Sequence, residues 1–213
     1  RRMSTTAHAP TPPPLLMVIG MHRSGTSATT GALACVGVRL GRHLYAGHAD
    51  VNPKGYFEHG EIADTNDEAL LAMGSAWDDI LPRPPDWARS EVLQPYAQRL
   101  ASTLARELRG TGLFAVKDPR VCRLLPWWQQ IIGMAQARAV YLFVLRSPQE
   151  VGASLQKRDG FSAEKSALLW LRHYLEAEAA TRQAPRAVID FAGFVADPAA
   201  ALARVQADLG IRF

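Results

Sequence analysis

The chain is poor in several things that would narrow its function quickly. In 213 residues it has two cysteines, Cys35 and Cys122, each on a predicted helix. Two thiols exclude a disulfide scaffold, and no spacing fits a zinc site, so both read as reduced and structural. No run of 18 or more apolar residues occurs, which excludes a helical membrane span. Arg1 to Pro14 lacks the apolar stretch of a secretory leader; it is polar and proline-rich and is expected to be a disordered tail (1–14). Basic residues exceed acidic ones by only four. That balance fits an anionic ligand as readily as nucleic acid, but no basic block is interleaved with aromatics, so nucleic acid is not an expected partner. With 48% hydrophobic and 21% charged residues, 15–213 is expected to form a single cytoplasmic domain with a full core.

The most informative absence is one lysine. Leu15 to Ile19 is a short apolar run that reads as a buried strand, and it ends in Gly20-Met21-His22-Arg23-Ser24-Gly25-Thr26-Ser27. A helix of small residues follows from Thr26 to Val36. In such a strand–loop–helix setting, backbone N–H groups and a helix N-terminus cradle an anion. The spacing Gly-x4-Gly-x-[Ser/Thr] fits the loop of nucleoside-triphosphate enzymes, except that Thr26 stands where their lysine reaches the β- and γ-phosphates. Arg23 is the full positive charge within the loop. A phosphate loop without that lysine points to a nucleotide other than ATP or GTP.

Along the rest of the chain, Val38 to Gly60 has little apolar periodicity and reads as a long irregular loop, a length that is usually functional. Helices are expected over Glu61–Met73, Gln94–Leu108, Val121–Ala135, Gln149–Arg158, Ser162–Arg182 and Pro198–Leu209. Gly74 to Pro95, rich in tryptophan and proline, reads as a surface excursion over the active face. Strands are expected at Leu113–Val116, Ala139–Leu145 and Ala187–Ile189. Strands alternating with helices predict an α/β fold with a central parallel sheet flanked by helices on both faces. Ligands of such sheets bind beyond the C-terminal strand ends, where the glycine loop, the Lys117 turn and the Arg146 turn converge.

Three segments carry candidate chemistry. Ser147 is a natural N-cap, Pro148 suits the first helical position and Glu150 completes a capping box. Ser154 lies two turns after Ser147 on the same helix face, so Arg146 and Ser154 are placed to hold one phosphate. Lys117 ends a second strand of the sheet whose first strand feeds the glycine loop; the readings there are a solvated turn, or an anion-binding or catalytic role. Glu58 follows two aromatics; partial burial there raises a carboxyl pKa and suits a general base. The competing roles are a cap on the helix near Glu61 for Glu58, and His22, His43, His48 and His59 as rival bases. Trp77, Trp87, Trp127 and Trp128 offer either core packing or a sugar or aryl platform.

Together these segments resemble the sulfotransferases that use 3′-phosphoadenosine-5′-phosphosulfate (PAPS), over about Leu15 to Ile211. Arg23-Ser24-Gly25-Thr26-Ser27 is similar to their 5′-phosphosulfate loop, and Tyr141–Leu145 with Arg146 and Ser154 to their 3′-phosphate site. Lys117-Asp118-Pro119 resembles a motif of tyrosylprotein sulfotransferases and many bacterial relatives, as does Asn52-Pro53-Lys54-Gly55-Tyr56-Phe57-Glu58. Asp190-Phe191 through Asp197-Pro198 and the helix to Gly210 resemble the usual C-terminal part. The resemblance implies an α/β, P-loop-like three-layer fold with a central parallel sheet flanked by helices, PAPS as donor, PAP as product and no metal, in an enzyme of the EC 2.8.2 type. By it, Arg23 and Lys117 stabilise the transferred group and the leaving phosphate, and Ser24, Gly25, Thr26 and Ser27 hold the 5′-phosphate. Arg146 and Ser154 take the 3′-phosphate, and Glu58 deprotonates a hydroxyl or amine acceptor, a small molecule or carbohydrate. Many cytosolic members carry a histidine two residues beyond the lysine, where this chain has Pro119, which keeps Glu58 and Asp118 both open as the base. Relatives often continue with a basic segment beyond the equivalent of Phe213. The other readings are a P-loop small-molecule kinase and a non-catalytic nucleotide-binding module.

Overall fold

The computed structural model describes residues 12–46 and 55–213; most of the expected tail, with His48 and Asn52–Lys54, lies outside them. Strand β1 spans Pro14–Ile19, one residue earlier than expected, and the Pro13 carbonyl already accepts a bond from Arg138 N (3.0 Å). Proline has no N–H to donate, yet its carbonyl still pairs, so it suits the first residue of a strand. Strands β2 (Phe114–Lys117), β3 (Arg138–Leu145) and β4 (Arg186–Asp190) complete the sheet. All pairings are parallel, in the order β2-β1-β3-β4.

Parallel strands covered on both faces need apolar residues throughout, and β1 is buried at every position from Leu15 to Ile19. Alternate residues serve opposite faces. Leu15, Met17 and Ile19 join a core built with helices α2 (Gly60–Ala72), α3 (Gln94–Glu107), α4 (Val121–Met134), α5 (Pro148–Asp159) and α6 (Ala163–Thr181). Leu16 and Val18 pack with α1 (Thr26–Cys35), α7 (Phe191–Ala196) and α8 (Pro198–Leu209). Helix α3 shows the mechanism plainly: Ala97, Leu100, Ala101 and Leu104 recur at helical spacing and are all buried. Trp127 and Trp128 are fully buried on α4, so they are core rather than a ligand platform; Trp128 Nε1 donates to Asn66 Oδ1 (3.0 Å).

Three details differ from expectation. Helix α7 follows β4 directly, capped by Asp190, whose carboxylate accepts from Gly193 N (2.9 Å). Two 3-10 turns, Trp87–Arg89 and Glu91–Leu93, lead into α3. Within the expected irregular loop, Arg39 forms a parallel bridge to Phe114, and Leu44 an antiparallel bridge to His59.

The register aligns the chemistry. Val18 faces Lys117 and Ile19 faces Phe143, so the loop starting at Gly20 emerges between the ends of β2 and β3. The chain leaves β1 toward β2 and crosses back to β3, which makes this the topological switch point, where a crevice opens.

One buried group ties stability to pH. His173 on α6 has no exposed surface, and its Nδ1 lies 2.7 Å from the Leu169 carbonyl; burial, with Arg123, Arg83 and Arg172 nearby, pushes its pKa down to about 3. The folded chain keeps this imidazole neutral while the unfolded chain protonates it near 6.5. Its contribution is therefore complete above that value and lost as pH falls toward 3, at up to about 1.4 kcal/mol per pH unit. Urea denaturation at stepped pH is expected to give a steeper acid loss for the wild type than for His173→Asn; equal slopes would reject the assignment.

Candidate functional site

The loop after β1 is shaped by two positive φ angles, 68° at Arg23 and 89° at Gly25, with Ser24 N bonded to Met21 O (3.1 Å). Backbone N–H groups turned inward in this way form an anion-binding nest at the start of α1. A Cβ on Gly25 would sit 2.1 Å from the Phe191 ring, so α7 packs directly on the nest. At Gly20 a Cβ would meet Thr26 Cγ2 at 2.6 Å and Val144 O at 3.0 Å; glycine there lets α1 press against β3. Thr26 is buried under this contact.

Arg23, Arg146 and Ser154 come together at one side of the nest. Arg23 Nε donates to Ser154 Oγ (2.8 Å), and Arg146 Nη1 to the Arg23 carbonyl (3.2 Å). Trp170 Nε1 donates to the Arg146 carbonyl (3.0 Å), and the Arg146 guanidinium lies over the Phe191 ring at 5.2 Å. The capping box is not formed: Ser147 occupies the cap position, but its hydroxyl donates to Gln149 Oε1 (2.7 Å), while Glu150 pairs with Arg146 at 3.4 Å. The arginine at i−4 offers Glu150 a charged partner, which outcompetes a neutral backbone N–H.

On the other side, Lys117 Nζ donates to Glu58 Oε1 (2.7 Å), Tyr56 O (2.9 Å) and Ser27 Oγ (3.1 Å). All three ammonium protons are used, inside a site where Lys117 is 4% and Glu58 6% exposed. Burial raises the Glu58 carboxyl above its ordinary value, and Lys117 opposes that shift. Glu58 is thus not a helix cap; His59 holds that position on α2. Arg120 adds a second cation, 3.5 Å from Glu58 Oε2, and is itself bound to Asp118 Oδ1 (2.8 Å) and Asp67 Oδ1 (2.6 Å).

A cleft of about 430 Å³ opens in front of this pair, lined by His22, Tyr56, Glu58, Trp77, Arg120 and Arg158 among others. The rival bases fall differently. Asp118 is buried and engaged by Arg120 and by Asn66 Nδ2 (2.8 Å). His59 turns away to Glu107 (3.4 Å), and His43 is exposed. His22 packs on Trp77 with ring centroids 4.2 Å apart and the rings tilted by 48°; burial, with Arg120 and Arg158 nearby, lowers its pKa and keeps it neutral. Of the exposed-loop tryptophans, Trp77 reaches the cleft, whereas Trp87 packs under Arg83 at 4.7 Å. Among the described residues, no group of acidic, histidine and cysteine side chains could hold a metal ion, and no helix could cross a membrane.

No protein-family model matches the chain, and no curated protein matches it either. Solved structures do. The sulfotransferase domain from the Synechococcus PCC 7002 olefin synthase superposes with a TM-score of 0.58 at 17% identity, covering 100% of this chain and 78% of that one. The sulfotransferase domain from the curacin biosynthetic pathway gives 0.54 at 15%, covering 94% and 75%. This chain shares the fold of these two domains. A gluconokinase from Sinorhizobium meliloti 1021 superposes with a TM-score of 0.46, at 16% identity over 92% of this chain and 95% of that one.

Placed on this fold, several contributors were not legible as such. Arg120 stood in the Lys117 turn without a role, and Tyr56 contributes a carbonyl, which sequence does not advertise. Phe191 reads in the sequence only as part of a C-terminal segment; Gly25 carries the one local signal for it, since a missing Cβ often marks a close neighbour.

Gly25→Ala is expected to destabilise the protein by about 1–3 kcal/mol, through both the left-handed φ and the clash with Phe191. In Phe191→Ala the added cost of Gly25→Ala should shrink but not vanish. A full cancellation in thermal denaturation would assign the glycine to packing alone.

Proposed function

We propose that the chain is a sulfotransferase that moves a sulfuryl group from PAPS to a hydroxyl, or an amine, of a small-molecule or carbohydrate acceptor. The observation that carries this reading is the placement of a buried Lys117–Glu58 pair, 2.7 Å apart, between the glycine nest and the open cleft. One group there is suited to an anion on the nest, the other to an acceptor in the cleft. Residues 15–213 act as one domain in this reading, and two free cysteines fit a reducing, cytoplasmic setting.

The nest, with Ser24, Gly25, Thr26 and Ser27, suits a 5′-phosphate, and Arg146 with Ser154 suits the 3′-phosphate that sets PAPS apart from ATP. When bound, the donor supplies an activated sulfuryl group whose S–O bond to the 5′-phosphate breaks. The acceptor oxygen forms the new bond to sulfur, its proton passes to Glu58, and the electron pair of the broken bond leaves with PAP. Lys117 and Arg23 stabilise the charge that gathers on the departing phosphate, a task of positioning and electrostatics that requires no metal. Thr26 in place of lysine fits a donor without a γ-phosphate.

Transfer from labelled PAPS is expected to fall by about 10²–10⁴ in Glu58→Gln while PAP binding is retained. Because burial raises the Glu58 pKa above 4.5, activity should decline on the acid side with a midpoint above that value. Full activity in Glu58→Gln would remove Glu58 as base. Tight magnesium-dependent ATP binding would favour the kinase reading, and PAP binding without any transfer would favour a binding module.

A further inference from the structure

A second cavity, of about 620 Å³, opens where the 39–43 stretch meets the end of α3. Its walls carry four arginines, Arg39, Arg42, Arg106 and Arg109, and two carboxylates, Glu61 and Glu107. Both carboxylates are already engaged. Glu61 accepts from Thr103 Oγ1 (2.6 Å) and pairs with Arg106 (2.5 Å). Glu107 faces His59 at 3.4 Å and Arg106 at 3.8 Å. Among the described residues, Arg39, Arg42 and Arg109 have no carboxylate within ion-pair distance.

Arg39 is also held in place. Its backbone bonds to Leu113 O (2.9 Å) and Ala115 N (2.8 Å) at the edge of β2, and its guanidinium lies over Phe114 at 5.6 Å. Nη2 donates to the Gly110 carbonyl (3.2 Å), while no protein acceptor meets its buried Nε. A Cβ on Gly110 would come within 2.4 Å of Arg39 Nη1, so the guanidinium occupies space that only glycine leaves. Three uncompensated guanidiniums around one concavity repel each other and focus positive potential into it. Planar guanidinium forks match phosphate oxygens in pairs, which makes a phosphate group their best complement.

We propose that this cavity is a second anion site, distinct from the glycine nest, for a phosphate monoester or diphosphate carried by a small molecule. A volume of this size is that of a small-ligand pocket rather than of a single ion. It sits behind the segment that bears Glu58. His59 is extended (φ −69°, ψ 117°), so Glu58 and His59 turn to opposite sides, one toward the cleft and one toward this cavity. Tyr45 N to Glu58 O (2.9 Å) and Gly60 N to His43 O (2.7 Å) fasten the two stretches together.

Pyrophosphate, titrated calorimetrically into the intact chain, tests the site. Arg42 and Arg109 are exposed, so Arg42→Gln/Arg109→Gln should fold normally, as its thermal midpoint checks. It is expected to weaken one pyrophosphate-binding event by about tenfold or more, whereas Arg146→Gln, at the nest, leaves that event unchanged. Wild-type-like binding in the double variant would overturn the proposal, as would loss of all binding in Arg146→Gln. So would a heat reproduced by sodium chloride at matched ionic strength. None of these outcomes depends on whether sulfuryl transfer is observed.

Discussion

Lys117 leaves the end of β2 almost fully buried and sets its ammonium 2.7 Å from the equally buried Glu58 carboxylate. Removing two charges from water costs several kcal/mol for each ion, and their attraction offsets this only when the remaining hydrogen-bonding capacity is met. Here it is met. Ser27 and the Tyr56 carbonyl take the other two ammonium protons, and Arg120 approaches the second carboxylate oxygen. The same bonds join the end of β2, the start of α1 and the 56–58 stretch, which Phe57 also packs against α1 at Gly31. Loss of one partner would leave a buried charge uncompensated, a cost of about 3–5 kcal/mol. The pair therefore fixes the local structure as well as its charge distribution.

That pair reaches the nest because the sheet is parallel. Parallel strands deliver all their C-terminal ends to one edge, so residues far apart in sequence meet without any local motif to bring them together. Lys117 and Arg146 flank the nest from β2 and β3, and the register of β1 between them decides both distances at once. A one-residue slip would turn Lys117 to the opposite face. The hydrogen bonds of Lys117 to Glu58, Tyr56 O and Ser27 form only in the observed register and oppose that slip, which links strand pairing to the position of each cation.

Sequence reasoning worked where the signal was local. The apolar runs of β1 and β3, the glycine-rich loop and the periodicity of α3 each follow from neighbours within a few residues. The helix repeat puts Ser154 on the face that starts at Ser147 and suggests Arg146 as its partner, but Ser154 Oγ accepts from Arg23 Nε, and Arg146 reaches the Arg23 carbonyl instead. What failed depended on competing partners. Glu150 leaves the expected capping box for Arg146, a partner four residues back that the cap reading did not weigh. Asp118 looks like a candidate base in the sequence, but Arg120 and Asn66 occupy its oxygens. Nothing within the Lys117-Asp118-Pro119-Arg120 run tells which acid is engaged and which one faces the cleft.

The lysine missing at Thr26 gains a structural meaning from this arrangement. A lysine inside a phosphate loop travels with the loop, so its charge is placed by local geometry. In this chain Thr26 is buried between α1 and β3, and a long charged side chain there would displace that contact. Positive charge reaches the nest from three directions instead: Arg23 within the loop, Lys117 from one neighbouring strand and Arg146 from the other. Two of the three are carried by the sheet, so their separation is set by strand register rather than by loop conformation. A site organised in this way holds charges at fixed, spread positions, which suits a ligand with anionic groups at its two ends better than a linear run of phosphates.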